Sequence, residues 1–350
     1  MIAVDSPPPP DDDATPVDDD ATPVDDDATP VDDDATPVDD DPASTDDRPR
    51  SSLELARPEF VPDPGLSREA MEDLQREIAA AAVFEDDLGD GNAPAFGPDA
   101  VAIDDPFDLT EGVPGPERGD AFESTLETFG SDESSSSSGA APPVVVGIDQ
   151  AFLEDAVVSA IVALQGGRIV ERTHAVSPLS IPYVPGLLAF REGGPILDAL
   201  ATLSVDPDLA VFDGSGRIHF RQAGIATHVG VALDLPSVGV AKSLLCGTPD
   251  ADVDERPAGW STPIRADGRV ESPEGTTDDV AGTVIGHAFQ SRQYPNSRRV
   301  NPLYVSPGHR VSATTTVAIV DALCAGYKLP EPTRLADAYA DAVKRSIGDS

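Results

Sequence analysis

Four identical copies of DDDATPV run from Asp11 to Val38, between a tetraproline tract and DDDPAST. A seven-residue period invites a coiled-coil reading. Each copy, however, holds one proline, three adjacent aspartates and a single valine, so no apolar seam forms and no helix runs through it. The repeat bars the start of the chain from a packed core, and residues 1–60 read as a disordered, solvating acidic tail. Charge draws a similar line: Met1–Ala141 carries 6 basic and 40 acidic residues, whereas Pro142–Ser350 carries 17 and 24. The expected organisation is the tail, a helix within 61–88, an acidic Ser-rich insertion or linker at 89–141, and a globular domain at 142–347.

The acidic bias extends into the globular part, and the whole chain has three lysines against twenty arginines. This balance fits a halophile, because carboxylates hold hydration in salt, where the Debye length falls to about 3 Å at 1 M. A net charge of −41 ordinarily argues against a nucleic-acid partner. Salt screens the long-range repulsion, and the cluster Arg292, Arg298 and Arg299 can then contact phosphates. No apolar run nears the roughly 18 residues of a membrane span, and MIAVDSPPPPDDD lacks a signal-peptide pattern, so a cytoplasmic protein without membrane contact is expected. Cys246 and Cys324 have no metal-ligand spacing and read as buried free thiols.

Ser67 is a plausible N-cap for an amphipathic helix reaching Leu88, with Met71, Leu74, Ile78 and Ala81 at helical spacing. Val144–Ile148 opens a central strand with Asp149 at its end. The runs AVVSAIVAL and RIVERTHAV follow, separated by a Gln165-Gly166-Gly167 hairpin turn. Then come a helix from about Gly194 to Leu203, the strand LAVFD, a helix from about Phe220 to Leu233, the strand SVGVA, and strands near VAGTVIGHAF and NPLYVSP. Helices near Thr314–Ala325 and Pro332–Arg345 end the chain. Three antiparallel strands followed by alternating helices and strands predict an α/β fold, a ribonuclease H-like mixed sheet flanked by helices.

The blocks VVVGIDQAF, PYVPGLLAFREGGP, FDGSGRIH, GVAKSLLCG and YVSPGHRVS, in this order, resemble endonuclease V, the deoxyinosine 3'-endonuclease family, over roughly Pro142–Arg345. The Ser67–Leu88 helix resembles that family's amino-terminal helix. Departures from the family are the repeat tail, the long insertion before the first strand and an acidic loop between Gly247 and Asp279; none removes a motif. The resemblance implies hydrolysis of the second phosphodiester 3' to deoxyinosine in DNA, using Mg²⁺ or, as a substitute, Mn²⁺. Inosine in RNA is the within-class alternative, and a non-catalytic binding module with an acidic interaction tail is the alternative from another class. A monomer is expected.

Physical reasoning supports the carry-over of residues. A phosphodiester repels nucleophiles and has a poor alkoxide leaving group; Mg²⁺ eases both and demands hard oxygen ligands. Asp149, Asp213 and Glu192, the last at a helix start, can supply those oxygens, although each also suits a turn or helix terminus. Lys242, in an apolar segment, needs a partner; as in the resembled family, it is expected to contact the scissile phosphate or orient a carboxylate. His309 is a candidate for binding the metal, its water or the phosphate, whereas His174, His228 and His287 read as structural. Pro182 and Pro185 stiffen the backbone around Tyr183 and Val184, so this segment is a candidate wedge for the gap left by an extruded base. The resemblance further implies a base pocket around Gly186, Leu188, Gly216, His219 and Ile225.

Overall fold

The computed structural model describes residues 51, 53–88, 96–116, 141–272 and 280–348. The expected acidic tail up to residue 50, and the expected linker over 89–95 and 117–140, lie outside them.

Nine strands form one mixed sheet among the described residues: β1 (Val144–Phe152), β2 (Ala156–Gln165), β3 (Arg168–Pro178), β4 (Leu209–Asp213), β5 (Ser237–Ala241), β6 (Thr248–Pro249), β7 (Trp260–Arg265), β8 (Val284–Gln290) and β9 (Leu303–His309). Their order is β3-β2-β1-β4-β5-β9-β8-β7-β6. The β1–β4 and β4–β5 pairs are parallel, and the others are antiparallel. The β2–β3 turn is made by Gly166 and Gly167, both at positive φ (56° and 73°), as a two-residue hairpin turn demands. Strands β6 and β7 fall in the stretch expected as an acidic loop; with its proline and charged neighbours, that stretch gave no clean alternation.

Five α-helices are described: α1 (Arg68–Ala81), α2 (Leu188–Leu200), α3 (Ile225–Leu233), α4 (Ala313–Ala322) and α5 (Glu331–Gly348). Alternation along the strands sorts the core into two layers. Val144, Val146, Ile148, Ala210 and Phe212 pack with Ile196, Leu200 and Val229 of α2 and α3. Val145, Val211, Val238 and Val240 pack with Ile319, Leu335 and Ala336 of α4 and α5. Helix α1 forms an outer layer, its Ile78 meeting Val231 and Ala232 of α3. At Gly147, a Cβ would lie 2.0 Å from the Pro332 carbonyl oxygen, so the missing side chain lets the start of α5 rest on the β1 backbone.

Several expected boundaries are corrected. Helix α1, capped by Ser67 as expected, stops at Ala81 instead of Leu88, because the next residues are pinned to the sheet. Val83 O accepts from Arg310 N (2.6 Å) and Val83 N donates to the His309 Nδ1 (3.2 Å) at the β9 end, and Asp86 caps α4 by accepting from Ser312 N (2.7 Å), Ser312 Oγ (3.1 Å) and Thr315 Oγ1 (2.8 Å). Helix α2 begins six residues before the expected Gly194 and passes through Pro195, so its apolar stripe outweighs one lost hydrogen bond. Helix α3 begins at Ile225 rather than Phe220, since Gln222 adopts a left-handed φ of 54°. The tail ends earlier than residue 60: Phe60 is buried, and Arg57 N donates to Ala232 O (3.0 Å). Part of the expected linker is core, because Val101 and Ile103 are buried and Phe107 bonds to both Glu331 and Arg334.

Candidate active site

Asp149 lies just past the last β1–β4 pair, within β1 rather than at its end because the β2 ladder carries the strand on to Phe152; Asp213 ends β4, and Lys242 follows β5 by one residue. Register pairs Ile148 with Phe212 and Asp213 with Val240, so Asp149 and Asp213 stand side by side on adjacent strands and Lys242 lies two residues beyond the partner of Asp213 on the third. They share the parity of Val145, Val211 and Val240, which face α5. Lys242 Nζ donates to Asp213 Oδ2 at 2.6 Å, which supplies the partner its segment required. Glu192 reaches the same rim from the other face. It lies in the second turn of α2 rather than at a helix start.

A cavity of about 250 Å³ has Asp149, Glu192 and Asp213 on its polar side and Ile148, Phe152, Ile196, Phe212 and Ile225 on its apolar side. Burial, and then the negative charge of Asp213, pushes the Asp149 carboxyl up to about 8, even though Gln150 N donates to Asp149 Oδ1 at 2.7 Å. Burial raises Glu192 to about 7, opposed by Arg191 and assisted by Asp213. Carboxyls so lacking in positive charge are a site that welcomes a cation. Gln150 Nε2 holds the architecture by donating to Ser159 Oγ (2.6 Å) and to Glu192 O (3.2 Å).

One acidic residue was missed. Asp337 on α5 acts electrostatically on both Asp149 and Lys242, making it a fourth carboxyl of the rim. Its sequence signal was weak: it follows Leu335 and Ala336 directly, and looks like the polar edge of an amphipathic helix. Among the described residues, no three His, Cys, Asp or Glu side chains are gathered closely enough to cage an ion by themselves. The donor set still fits a hard cation such as Mg²⁺, which takes one or two carboxylates and keeps several waters.

The candidate wedge is a projecting loop: Tyr183 is 62% exposed between the exposed Pro182 and Pro185, and Val184 packs beside Leu187 and Phe190. Behind it, Gly186 O accepts from Gln75 Nε2 (3.0 Å) and from His219 Nε2 (3.1 Å). The His219 Nδ1 accepts from Arg221 N (3.2 Å), so the ring is a neutral tautomer; burial, above all, lowers its pKa to about 4. Gly216 N donates to Ser306 Oγ (2.9 Å), Leu188 opens α2, and Ile225 opens α3 at the cavity. The structure thus joins Gly186 to His219 and Ile225 to the carboxylates. Gln75, from α1, is a pocket support that sequence reading did not identify, since it looks like any polar position on an amphipathic helix.

His309 is corrected. It pairs with Ser237, at the start of β5, while Lys242 follows the end of the same strand, so it lies at the opposite rim. There its buried ring accepts from Val83 N (3.2 Å) and donates to Asp234 Oδ1 (2.9 Å). His174 bonds Tyr339 Oη (3.0 Å), and His228 bonds Phe60 O (2.8 Å). Cys246 is buried and Cys324 half-buried, and both are free. Among the described residues, no helix is long and apolar enough to cross a membrane.

The Endonuclease V family model matches residues 131–338. Endonuclease V of Haloarcula marismortui is 54% identical over 83% of this chain and 97% of its own length. That of Natronomonas pharaonis is 52% identical over 85% of this chain and 100% of its own. Among solved structures, endonuclease V of Streptomyces avermitilis matches with a TM-score of 0.54 at 29% identity, over 83% of this chain and 98% of that one. Human ENDOV matches with a TM-score of 0.54 at 25% identity, over 81% of this chain and 100% of that one. A ribonuclease H-like sheet with acidic groups along the ends of its parallel strands defines a nuclease. The chain belongs to the Endonuclease V family, and its acidic composition accords with its haloarchaeal relatives.

Proposed function

We propose that this nuclease is a DNA repair enzyme that recognises deoxyinosine and hydrolyses the second phosphodiester bond on its 3' side, leaving a 3'-hydroxyl and a 5'-phosphate. The observation that carries this reading is the row Asp149, Asp213, Lys242 beside Glu192, with two carboxyls raised by burial at the mouth of a small cavity. Asp149 and Asp213 would hold Mg²⁺, or Mn²⁺ in its place, with Glu192 ligating directly or through water. A cation held there would supply Lewis-acid polarisation of the phosphate and lower the pKa of a water. Lys242 then holds Asp213 in place and offers its remaining protons to a phosphate oxygen. Glu192, where it meets the cation through water, would be placed to accept a proton from the attacking water. The stiff Tyr183 loop fills the space an extruded base leaves, and the Gly186 main chain, fixed by Gln75 and His219, reads the base.

Nicking assays in concentrated KCl with Mg²⁺ test this on a deoxyinosine duplex, an inosine RNA and an undamaged duplex. A single cut immediately 3' of the nucleotide that follows deoxyinosine is expected. Cleavage of the RNA alone transfers the enzyme to inosine RNA, and no cleavage of either inosine substrate removes the proposal.

A further inference from the structure

Among the described residues the exposed aromatic rings are all tyrosines, and they stand at two places. One is Tyr183. The other pairs Tyr294 and Tyr327, 51% and 42% exposed. The Arg292 guanidinium lies against both, 5.2 Å from the ring centre of Tyr294 and 5.6 Å from that of Tyr327, and Arg334 covers Tyr327 at 4.1 Å. Arg298 and Arg299 are exposed on the same loop.

This patch is rigidly built. The buried Gln290 donates from Nε2 to Arg292 O (2.7 Å) and Val300 O (2.9 Å), closing both ends of the loop that carries Tyr294. Gln293 Nε2 donates to Val300 O (3.0 Å), and its Oε1 accepts from Val300 N (3.2 Å). Ser291 Oγ donates to Lys328 O (2.6 Å), which ties that loop to the one carrying Tyr327.

The patch also adjoins the catalytic rim. Ala241 pairs with Tyr304, and Tyr304 with Ala288, so the segment joining β8 to β9 leaves the sheet at the end where Lys242 stands. Burial and then the charge of Lys242 lower the pKa of Lys328, which places the two ammonium groups near each other. Tyr327 and Lys328 lead into α5, on one face of the sheet, whereas Gly186, Leu188 and Ile225 belong to the α2 and α3 side. The carboxylates occupy the rim between.

We propose that Tyr294, Arg292 and Tyr327 form a stacking platform for the DNA strand 3' of the cut. The direction rests on the deoxyinosine reading: a strand with its lesion in the pocket and its next 3' linkages over the carboxylates continues onto the α5 side. Every base has a π-face, so stacking on tyrosine tolerates any sequence downstream. A guanidinium between the rings adds contact with either base or phosphate. In concentrated salt, phosphate contacts are screened beyond a few ångströms, but stacking is not. For a chain of net charge −41, this is a means of holding DNA that survives both salt and its own field.

Fluorescence anisotropy on the full chain, with chelator present so that no strand is cut, tests the platform with deoxyinosine oligonucleotides. One has a 3' arm ending just past the cut, a second has a long 3' arm, and a third has a long 5' arm. Tyr294→Ala/Tyr327→Ala should weaken binding of the long 3' arm by about tenfold or more at low and multimolar KCl. It should leave the short-arm and 5'-arm complexes unchanged, and Tyr294→Phe/Tyr327→Phe should restore the loss. Equal affinity of wild type and double alanine variant for the long 3' arm, or equal losses on all three, overturns the platform. Should the double variant unfold, Tyr294→Ala alone, at the more exposed ring, is read the same way. An undamaged oligonucleotide of each length separates the two readings. If wild type shows no preference for deoxyinosine but the tyrosines still govern binding of a long arm, the lesion reading fails and the platform stands.

Discussion

The two rims of the sheet use the same chemical vocabulary to opposite effect. At the Asp149 rim, four carboxyls and the Lys242 ammonium leave an excess of negative groups, and burial drives two of the carboxyls toward protonation. At the His309 rim, Asp234 meets His309 at 2.9 Å and Arg310 at 3.7 Å, while Arg310 also reaches Asp87 at 3.2 Å. One rim is unbalanced and awaits a cation; the other is balanced and closes the fold over the Val83 strap. Residue type alone did not separate them, and direction along β5 did.

The largest expected effect breaks the first rim. Asp213→Asn removes the carboxylate proposed to hold the cation and frees Lys242, and should lower cleavage on the order of a thousandfold while circular dichroism stays unchanged. Cleavage at wild-type rate would move the chemistry elsewhere. His309→Ala should do the reverse: thermal unfolding should show a loss of about 2 kcal/mol from two broken hydrogen bonds, with cleavage per folded molecule nearly unaltered. A selective loss of cleavage would return His309 to the chemistry and erase the contrast.

The pH dependence sharpens it further. Asp149 and Glu192, raised to about 8 and about 7, hold protons in the folded chain that the unfolded chain releases near its ordinary carboxyl values. Their stabilisation is therefore fully present in acid and disappears as the pH climbs to about 8. His309, lowered chiefly by burial, has the other sign, and its contribution is lost only as the pH falls below its ordinary 6.5. Between these limits, chelated protein should lose about 2 kcal/mol as the pH rises from 6.5 to 8. Mg²⁺ should restore more at the upper end. A stability flat with pH in chelator would count against the raised carboxyls. The smallest effect is expected from deleting residues 1–49, which should leave cleavage at high salt nearly unchanged; a large loss would give the tail a role in the reaction.

The succession of strands β1 to β5 and the β2–β3 hairpin were legible because apolar β-branched runs and Gly166-Gly167 are local signals. So were Asp149, Asp213, Glu192 and Lys242, each beside an apolar run in a recognisable block. Asp337 and Gln75 were not, because their significance comes from which helix packs where. His309 misled for a related reason: SPGHR resembles a site loop, but an antiparallel partner carries its last residue to the far end of its neighbour. The Val101–Leu109 contacts were hidden by their acidic neighbours, whose charge outweighed a few well-placed apolar side chains in the composition.

Asp86 gives this composition a practical edge. It caps α4 with three hydrogen bonds, just as Glu171 receives Ser204 N and Val205 N, and Asp208 receives Val144 N. Re-tuning such a protein for dilute buffer by neutralising acids wholesale would remove fasteners along with surplus charge. The acids to exchange are those facing only water, and Asp86, Glu171 and Asp208 are the ones to leave in place.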